Sequence, residues 1–531
     1  MRRRTWWGGT ACVLAALLAA GCSNDDRTTT AGIEHLVVIY QENKSFDGYF
    51  GVYPNAANPP GQPEFHARSG TPSVNGLTET LLLHNPNQAN PFRIDRLQSY
   101  TCDQSHEYTT EQESRNGGLM NQFVRFDAEP PENERQFCTQ NAAGQWTTLM
   151  GYFDGNTVTA LWSYAQHFAI SDSFFASNFG ESTRGAINLT VGDTYGVLCG
   201  PSANVYGDVP SCGGPVDATS IAAPSNGTLA TLNEDADPYW DVCSETDDTI
   251  AFTGRNVGDL LNEAGVTWGW FQGGFAVDAS GACTSGHPLE SYDRATGVDP
   301  ATDELVFTDY VPHHNPFQYF ASTANPRHLP PSSVDAIGRT DQANHSYDLS
   351  WFWAAADAGN LPTVSFLKAP AYQNGHPGNS TPLDEQTFLV ETLNRLQGLP
   401  EWSRMVVIIA WDDSDGWYDH VPSPIVNRSA TSLDFLCGDV SDGAGGRCGY
   451  GPRLPLVVVS PFAKQNYVSS TLIDQSSILR FIEDRWAGGA RISATSFDNF
   501  AGPIDDLLDA GGARAGKLLL DPQTGTREGR T

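Results

Sequence analysis

The sequence predicts an α/β fold, with a mostly parallel central sheet flanked by helices and interrupted by long loop insertions. Three features predict it. Short, continuous, Val/Ile-rich runs recur at wide intervals, the pattern of strands buried on both faces of a parallel sheet. Helical stretches, one of them clearly capped, lie between the runs, and that alternation builds α/β layers. The remainder is turn-rich, with Gly 52 and Pro 33 among 531 residues, which argues against a helical bundle.

The chain opens on Arg2, Arg3 and Arg4, then the apolar run Ala11 to Ala20, so residues 1–22 read as an export signal. The run is too short for a membrane span. Its ending, Leu18-Ala19-Ala20-Gly21-Cys22, resembles a bacterial lipoprotein signal with Cys22 lipidated after cleavage. Ordinary secretion is the alternative. Residues 23–30 are polar and form a tether. The first strand is His35 to Tyr40. Ile170 and Phe174-Phe175 lead into Asn178-Phe-Gly-Glu-Ser-Thr-Arg-Gly185, which reads as a sharp strand-to-helix turn presenting Ser182. A helix over Val257 to Glu263 feeds a strand at Val266 to Phe271, and Pro362 to Leu367 is a further strand. Thr381, Pro382 and Asp384 supply an N-cap, a first-turn proline and a capping-box acid. Phe388, Leu389, Thr392, Leu393 and Leu396 then share a face, and Gly398 stops the helix. Strands at Met405 to Ala410 and Leu454 to Val459 and a helix from Ser477 to Trp486 complete the set. Strands spread from residue 35 to 459 admit no cut that leaves the sheet whole. Residues 31–531 are therefore expected to form one domain, with insertions at roughly 52–100, 195–250 and 276–345.

Sixty-two Asp+Glu against 30 Lys+Arg give a formal net charge of −32. With no basic cluster beyond the first residues, nucleic acid is excluded as a partner. Setting aside Cys12 and Cys22 leaves eight cysteines, and an even number behind an export signal implies disulfides. Nearest-neighbour pairing gives Cys102–Cys138, Cys199–Cys212, Cys243–Cys283 and Cys437–Cys448. No two have Cys-x-x-Cys spacing, which argues against a zinc cluster.

Two acidic groups follow buried strands directly. One is Gln41-Glu42-Asn43-Lys44-Ser45-Phe46-Asp47; the other is Asp412-Asp413-Ser414-Asp415-Gly416, with Asp419-His420 beyond. Ligands of open α/β sheets bind beyond the carboxyl ends of strands. Glu42, Asn43, Asp412 and Asp413 brought together there would repel unless shared protons or a cation offset them, and a hard, oxygen-preferring metal is the simplest compensation. Solvated loop acids that cap helices are the plainer alternative. Ser182 is a weak nucleophile unless a base or metal activates it. His106, His313, His314, His345 and His376 lie in polar, Gly/Pro-bounded loops that core packing explains poorly, whereas His35 and His167 beside apolar segments read as structural.

Taken together, Glu42 to Gly51, Asp103 to Gln112, Phe179 to Leu189, His313 to Phe317, Asp412 to Pro422 and Gly451 to Pro461 resemble, in order, the bacterial phosphoesterase family that includes phospholipases C and a related acid phosphatase, within the alkaline phosphatase superfamily. The resemblance implies an alkaline-phosphatase-like fold. It places Glu42, Asn43, Asp412 and Asp413 at a divalent metal, with Ca, Mg or Mn favoured by oxygen ligands and Zn left open. Ser182 falls at the nucleophile. His106, His313 or His314, and His376 fall where phosphate oxygens and the leaving group are contacted, with His106 and His376 taken as catalytic and His313 and His314 as substrate-binding; Arg184, near the place of a missing phosphate-contacting Asn, is expected to bind substrate instead. Two departures stand out: Arg184 and Gly185 replace the usual Pro and Asn after the nucleophile, and Glu181 replaces a usual Pro. The implied function is an exported, metal-dependent phosphoric ester hydrolase of phospholipase C type, with a phosphoserine intermediate. The substrate is a phosphoester such as a phospholipid head group, and the membrane is touched only through a lipid anchor, in an envelope lipoprotein or a secreted enzyme. The alternatives are an acid phosphatase acting on phosphomonoesters and, from another class, a non-catalytic metal-stabilised surface binding protein.

Overall fold

The structure is a computed structural model. It describes residues 32–528, apart from 127–129, 133, 199–202, 205–206, 209–220, 223–228, 245–248, 284–285, 289–305, 433, 435, 441–443, 510 and 513–514. The expected export signal, the tether up to residue 30 and the expected Cys199–Cys212 pair lie outside the described residues. Cys102–Cys138, Cys243–Cys283 and Cys437–Cys448 are joined as nearest-neighbour pairing predicts.

The described residues contain a nine-stranded sheet. In chain order its strands are β1 (His35–Gln41), β2 (Ala169–Phe175), β3 (Trp268–Gln272), β4 (Ser346–Asp348), β5 (Val364–Lys368), β6 (Met405–Trp411), β7 (Arg453–Val459), β8 (Tyr467–Ser469) and β9 (Ile473–Asp474). Their spatial order is β4-β3-β5-β1-β6-β7-β2-β8, with β9 also paired to β2. The centre, β3-β5-β1-β6, is parallel. Leu36, Val37, Val38, Ile39, Val406, Val407, Ile408 and Ile409 are all fully buried, as continuous apolar runs require of strands covered on both faces. The 454–459 run is a sheet strand as expected, but β7 lies antiparallel to both β6 and β2. A Val/Ile run carries no sign of direction. The consequence is that Arg453, at the start of β7, shares an edge of the sheet with the carboxyl ends of β1 and β6.

The helices used below are α1 (Phe46–Phe50), α2 (Tyr108–Arg115), α3 (Thr159–His167), α4 (Ser182–Thr190), α5 (Val257–Glu263), α6 (Leu349–Asp357), α7 (Pro382–Gly398) and α8 (Gln475–Trp486). Thr381 caps α7 in a reciprocal capping box with Asp384, and Gly398 is its last residue. Helix α4 begins at Ser182 behind Glu181 and is buried throughout; it packs on α8. No helix of the described residues is long and apolar enough to cross a membrane. His345 is not a loop imidazole of the site. It stacks on Trp268 with centroids 4.2 Å apart and contacts the Trp268 carbonyl through Nδ1 at 2.9 Å, so packing accounts for it.

Candidate active site

Register brings the two acidic loops together. β1 and β6 run side by side with Gln41 opposite Trp411, so Glu42 and Asp412 leave the sheet as neighbours. Backbone bonds lock the two exits: Lys44 N–H donates to Asp413 O (2.9 Å), Asp412 N–H to Gln41 O (3.2 Å) and Asn43 N–H to Asp412 Oδ1 (3.1 Å). Asn43 (φ 45°) and Asp415 (φ 52°) both take the left-handed conformation, which Asn and Asp tolerate better than most residues. Backbone strain of this kind concentrates at functional sites.

The nucleophile candidate arrives from the other side. Ser182 Oγ donates to Asp413 Oδ2 at 2.7 Å, with Asn43 Oδ1 at 3.1 Å and Glu42 Oε2 at 3.2 Å. As the first residue of α4 it also feels the positive end of the helix. Close approach depends on Gly185: a Cβ there would lie 2.2 Å from the Asp412 carbonyl oxygen.

Charge in this cluster does not balance. Glu42, Asp412, Asp413 and Asp415 are each at most 1% exposed. Lys368, at the end of β5, places its ammonium against Glu42 Oε1 and 2.9 Å from Asp412 Oδ2. Burial, then the neighbouring Asp412, drives the carboxyls of Glu42 and Asp413 well above the usual range. The amide of Asn43 reports the same excess. Its oxygen lies 2.7 Å from Glu42 Oε2, 3.1 Å from Ser182 Oγ, 3.2 Å from Asp413 Oδ2 and 3.3 Å from Asp412 Oδ1. Acceptors this crowded either face a turned amide NH₂ or share a cation. A set made only of carboxylate, amide and hydroxyl oxygens fits a hard divalent ion.

Histidines line the approach. His314 Nδ1 lies 3.1 Å from Glu42 Oε1. His376 Nε2 lies 3.1 Å from the Asn43 amide, and its ring centroid is 6.5 Å from that of His106. His106 Nδ1 contacts Gln104 O at 2.7 Å, with Asp415 and Asp103 at 3.8 and 3.9 Å. Burial alone would lower its affinity for a proton, but Asp413, Asp103, Asp415 and Glu181 together hold it well above the usual histidine range. His313 turns away from the oxygen cluster toward Asp237 (3.3 Å) and Asp235 (3.7 Å).

Arg184 departs from its expected substrate-binding place. Its guanidinium donates to the carbonyls of Leu232 and Gly446 and covers the Tyr108 ring at 4.5 Å. Two residues along a helix turn a side chain by about 200°, so a residue two past Ser182 faces the opposite side. Lys368 was not foreseen as part of the site; its signal is a lysine placed directly after a buried strand. Glu111 and Gln475 were not foreseen either, and a lone acid or amide on a helix gives no such signal.

The Phosphoesterase family profile matches residues 33–487. Non-hemolytic phospholipase C of Pseudomonas aeruginosa is 24% identical over 505 residues, which is 89% of this chain and 58% of that protein. Phospholipase C A of Mycobacterium tuberculosis is 24% identical over 500 residues, 89% of this chain and 78% of that protein. The chain thus spans little more than half the length of the Pseudomonas relative. Among solved structures, the phosphonate monoester hydrolase of Agrobacterium radiobacter superposes with a TM-score of 0.28 at 11% identity, covering 68% of this chain and 73% of that one, which adds no argument. With its profile matched over most of the sequence, the chain belongs to the Phosphoesterase family.

Proposed function

We propose that the protein is an exported, divalent-metal-dependent phosphoric ester hydrolase of phospholipase C type that works through a phosphoserine at Ser182. The observation that carries this reading is the Ser182 hydroxyl donating to Asp413 inside a buried oxygen cluster whose negative charge exceeds its cations. The phospholipase C names of two relatives support the choice of reaction. Residues 1–22 would act as a lipoprotein-type signal, 23–30 as a tether and 31–531 as one catalytic unit.

Glu42, Asn43, Asp412 and Asp413 are the residues that would hold the cation. When bound, it supplies Lewis acidity that favours the serine alkoxide and offsets charge on the phosphoryl oxygens. In the first step Ser182 Oγ bonds to phosphorus, its proton passes to Asp413 Oδ2, and the bond from phosphorus to the leaving oxygen breaks. His106, flanked by Asp103 and Asp415, gives the leaving alcohol its proton. In the second step water bonds to phosphorus and returns a proton to His106. The serine–phosphorus bond breaks, and Ser182 recovers its proton from Asp413. His314 and His376 border the same space and contact the ligand residues, which suits them to orient phosphate oxygens. Arg184 takes no part.

The test is Ser182→Ala assayed on p-nitrophenyl phosphorylcholine and p-nitrophenyl phosphate, with metal content measured alongside. Loss of turnover on both substrates with the metal retained is expected. Undiminished activity would remove the nucleophile assignment. Wild-type rates on the two substrates, after chelation and re-addition of Ca, Mg, Mn or Zn, separate the diesterase from the monoesterase and name the ion. A wild type inactive under every condition would favour the binding protein.

A further inference from the structure

Two loops must keep a fixed separation if Ser182 is to stay within 2.7 Å of Asp413. One is 177–181, leading into the nucleophile helix; the other is 412–414, carrying two of the proposed ligands. Two buried side chains from separate helices each bridge this same pair of loops. Glu111, on α2, accepts the Gly180 N–H through Oε2 at 2.7 Å and the Ser414 hydroxyl through Oε1 at 2.7 Å. Gln475, the first residue of α8, accepts the Ser177 N–H at 3.0 Å and donates to the Asp412 carbonyl. Glu111 is 4% exposed and Gln475 fully buried.

The two braces differ. Both arms of Gln475 end on backbone, so Gln475 fixes the loops at their outer ends. Glu111 reaches the inner ends, at the residue two before Ser182 and the residue one after Asp413. Its helix starts two residues after His106, so one carboxylate ties the nucleophile loop, the ligand loop and the segment carrying His106. Gly180 shows how tightly the arm is seated. Its φ of +105° lies in the left-handed region, and a Cβ there would approach Arg184 Cδ to 2.6 Å. Only glycine presents its N–H to Glu111 in this way.

We propose that Glu111 is a positioning residue that holds Ser182 in register with Asp413. The proposal rests on the reading of Ser182 as nucleophile given above. Glu111 itself touches neither the substrate nor the ligand oxygens. Its effect therefore belongs in kcat rather than in substrate affinity, and it depends on two hydrogen bonds rather than on charge.

The experiment compares Glu111→Ala, Glu111→Gln and Ser182→Ala with wild type. Backbone amide exchange is followed over peptides containing 177–182 and 412–416, together with kcat, KM and metal content. Glutamine can accept from Gly180 through its carbonyl and donate to Ser414 through its amide, so it preserves both arms. In Glu111→Ala, exchange of both peptides should rise about tenfold, the scale of one lost buried hydrogen bond. Its kcat should fall about 10²-fold, the cost of roughly 1 Å of misplacement, with KM and metal content kept. Glu111→Gln should recover both readouts. Unchanged exchange in folded Glu111→Ala, or a Glu111→Gln as impaired as the alanine variant, overturns the proposal. If Glu111→Ala does not fold, Ser414→Ala severs one arm alone, and it must raise exchange in the 412–416 peptide or the proposal fails. A wild type without hydrolase activity, or an active Ser182→Ala, overturns the functional reading instead, while the exchange data still decide whether Glu111 braces the loops.

Discussion

The segments 42–47 and 412–420 each contribute to two buried charged clusters, and the two clusters are built on opposite principles. The inner one gathers four buried carboxyl groups, Glu42, Asp412, Asp413 and Asp415, with the Lys368 ammonium against Glu42 and Asp412 and the His106 imidazole 3.8 Å from Asp415. The outer one pairs Asp47 and Asp419 with Arg453 and His420. Arg453 donates to Asp47 Oδ1 (2.9 Å) and Asp419 Oδ2 (3.1 Å) and to the carbonyls of Asn75 and Asp172, while His420 Nδ1 contacts Asp47 Oδ2 at 2.6 Å. Two carboxylates face one guanidinium and one imidazole, and backbone N–H groups of Asp47, His420 and Val421 add donors. The outer cluster needs nothing further and serves as a lock between the two loops. The inner one has a charge excess that only protons or a cation can offset. Surplus charge, rather than burial or acid content, sets the proposed site apart.

Four substitutions break or sharpen that contrast. The largest effect should come from Asp413→Asn, which removes a proposed ligand and the proposed acceptor of the serine proton. Turnover should drop about 10³-fold or more, and steady-state kinetics on the better nitrophenyl substrate will show it. Next is Arg453→Met. It leaves Asp47 and Asp419 buried without their main partner, which should cost about 3–5 kcal/mol of stability. Urea unfolding reads this directly, and added divalent metal should not recover it.

The third case is a buried acid held by neutral donors. Glu385 accepts the Tyr49 hydroxyl at 2.6 Å, and burial pushes its pKa up to about 7. Between the unfolded value near 4.3 and that raised value, the folded state binds the extra proton. Wild-type stability from this group is therefore greatest at low pH and is lost as pH rises toward and past 7. Glu385→Gln lacks that slope, so its stability relative to wild type should improve by about 2–3 kcal/mol from pH 5 to pH 8. Parallel stability curves would contradict it. The smallest functional effect belongs to Arg184→Met, a cation held by carbonyls. It should lose about 1–3 kcal/mol of stability from the abandoned acceptors while KM changes by no more than about twofold. A large rise in KM would restore Arg184 to the substrate.

The sheet was legible because buried parallel strands are short apolar runs, and the charged loops that follow them mark the strand ends where ligands gather. On that ground Glu42, Asn43, Asp412 and Asp413 are expected to meet, and the fold brings them together with Ser182. Direction and facing were not legible. β7 has the same Val/Ile pattern in either orientation, and Arg184 shares the motif of Ser182 but not its side of the helix. His345 sits among polar residues along the chain and finds its partner, Trp268, only in the fold. Lys368, Glu111 and Gln475 act across long sequence separations, which no local pattern records.

The central claim is that the inner cluster holds a divalent cation against Ser182. The most direct measurement is elemental analysis of purified, dialysed wild type beside the Asp412→Asn/Asp413→Asn double variant. A stoichiometric divalent ion in the first and its loss from a still-folded second is the predicted result. A wild type that turns over phosphoesters without such an ion, or a double variant that keeps it, would contradict the account.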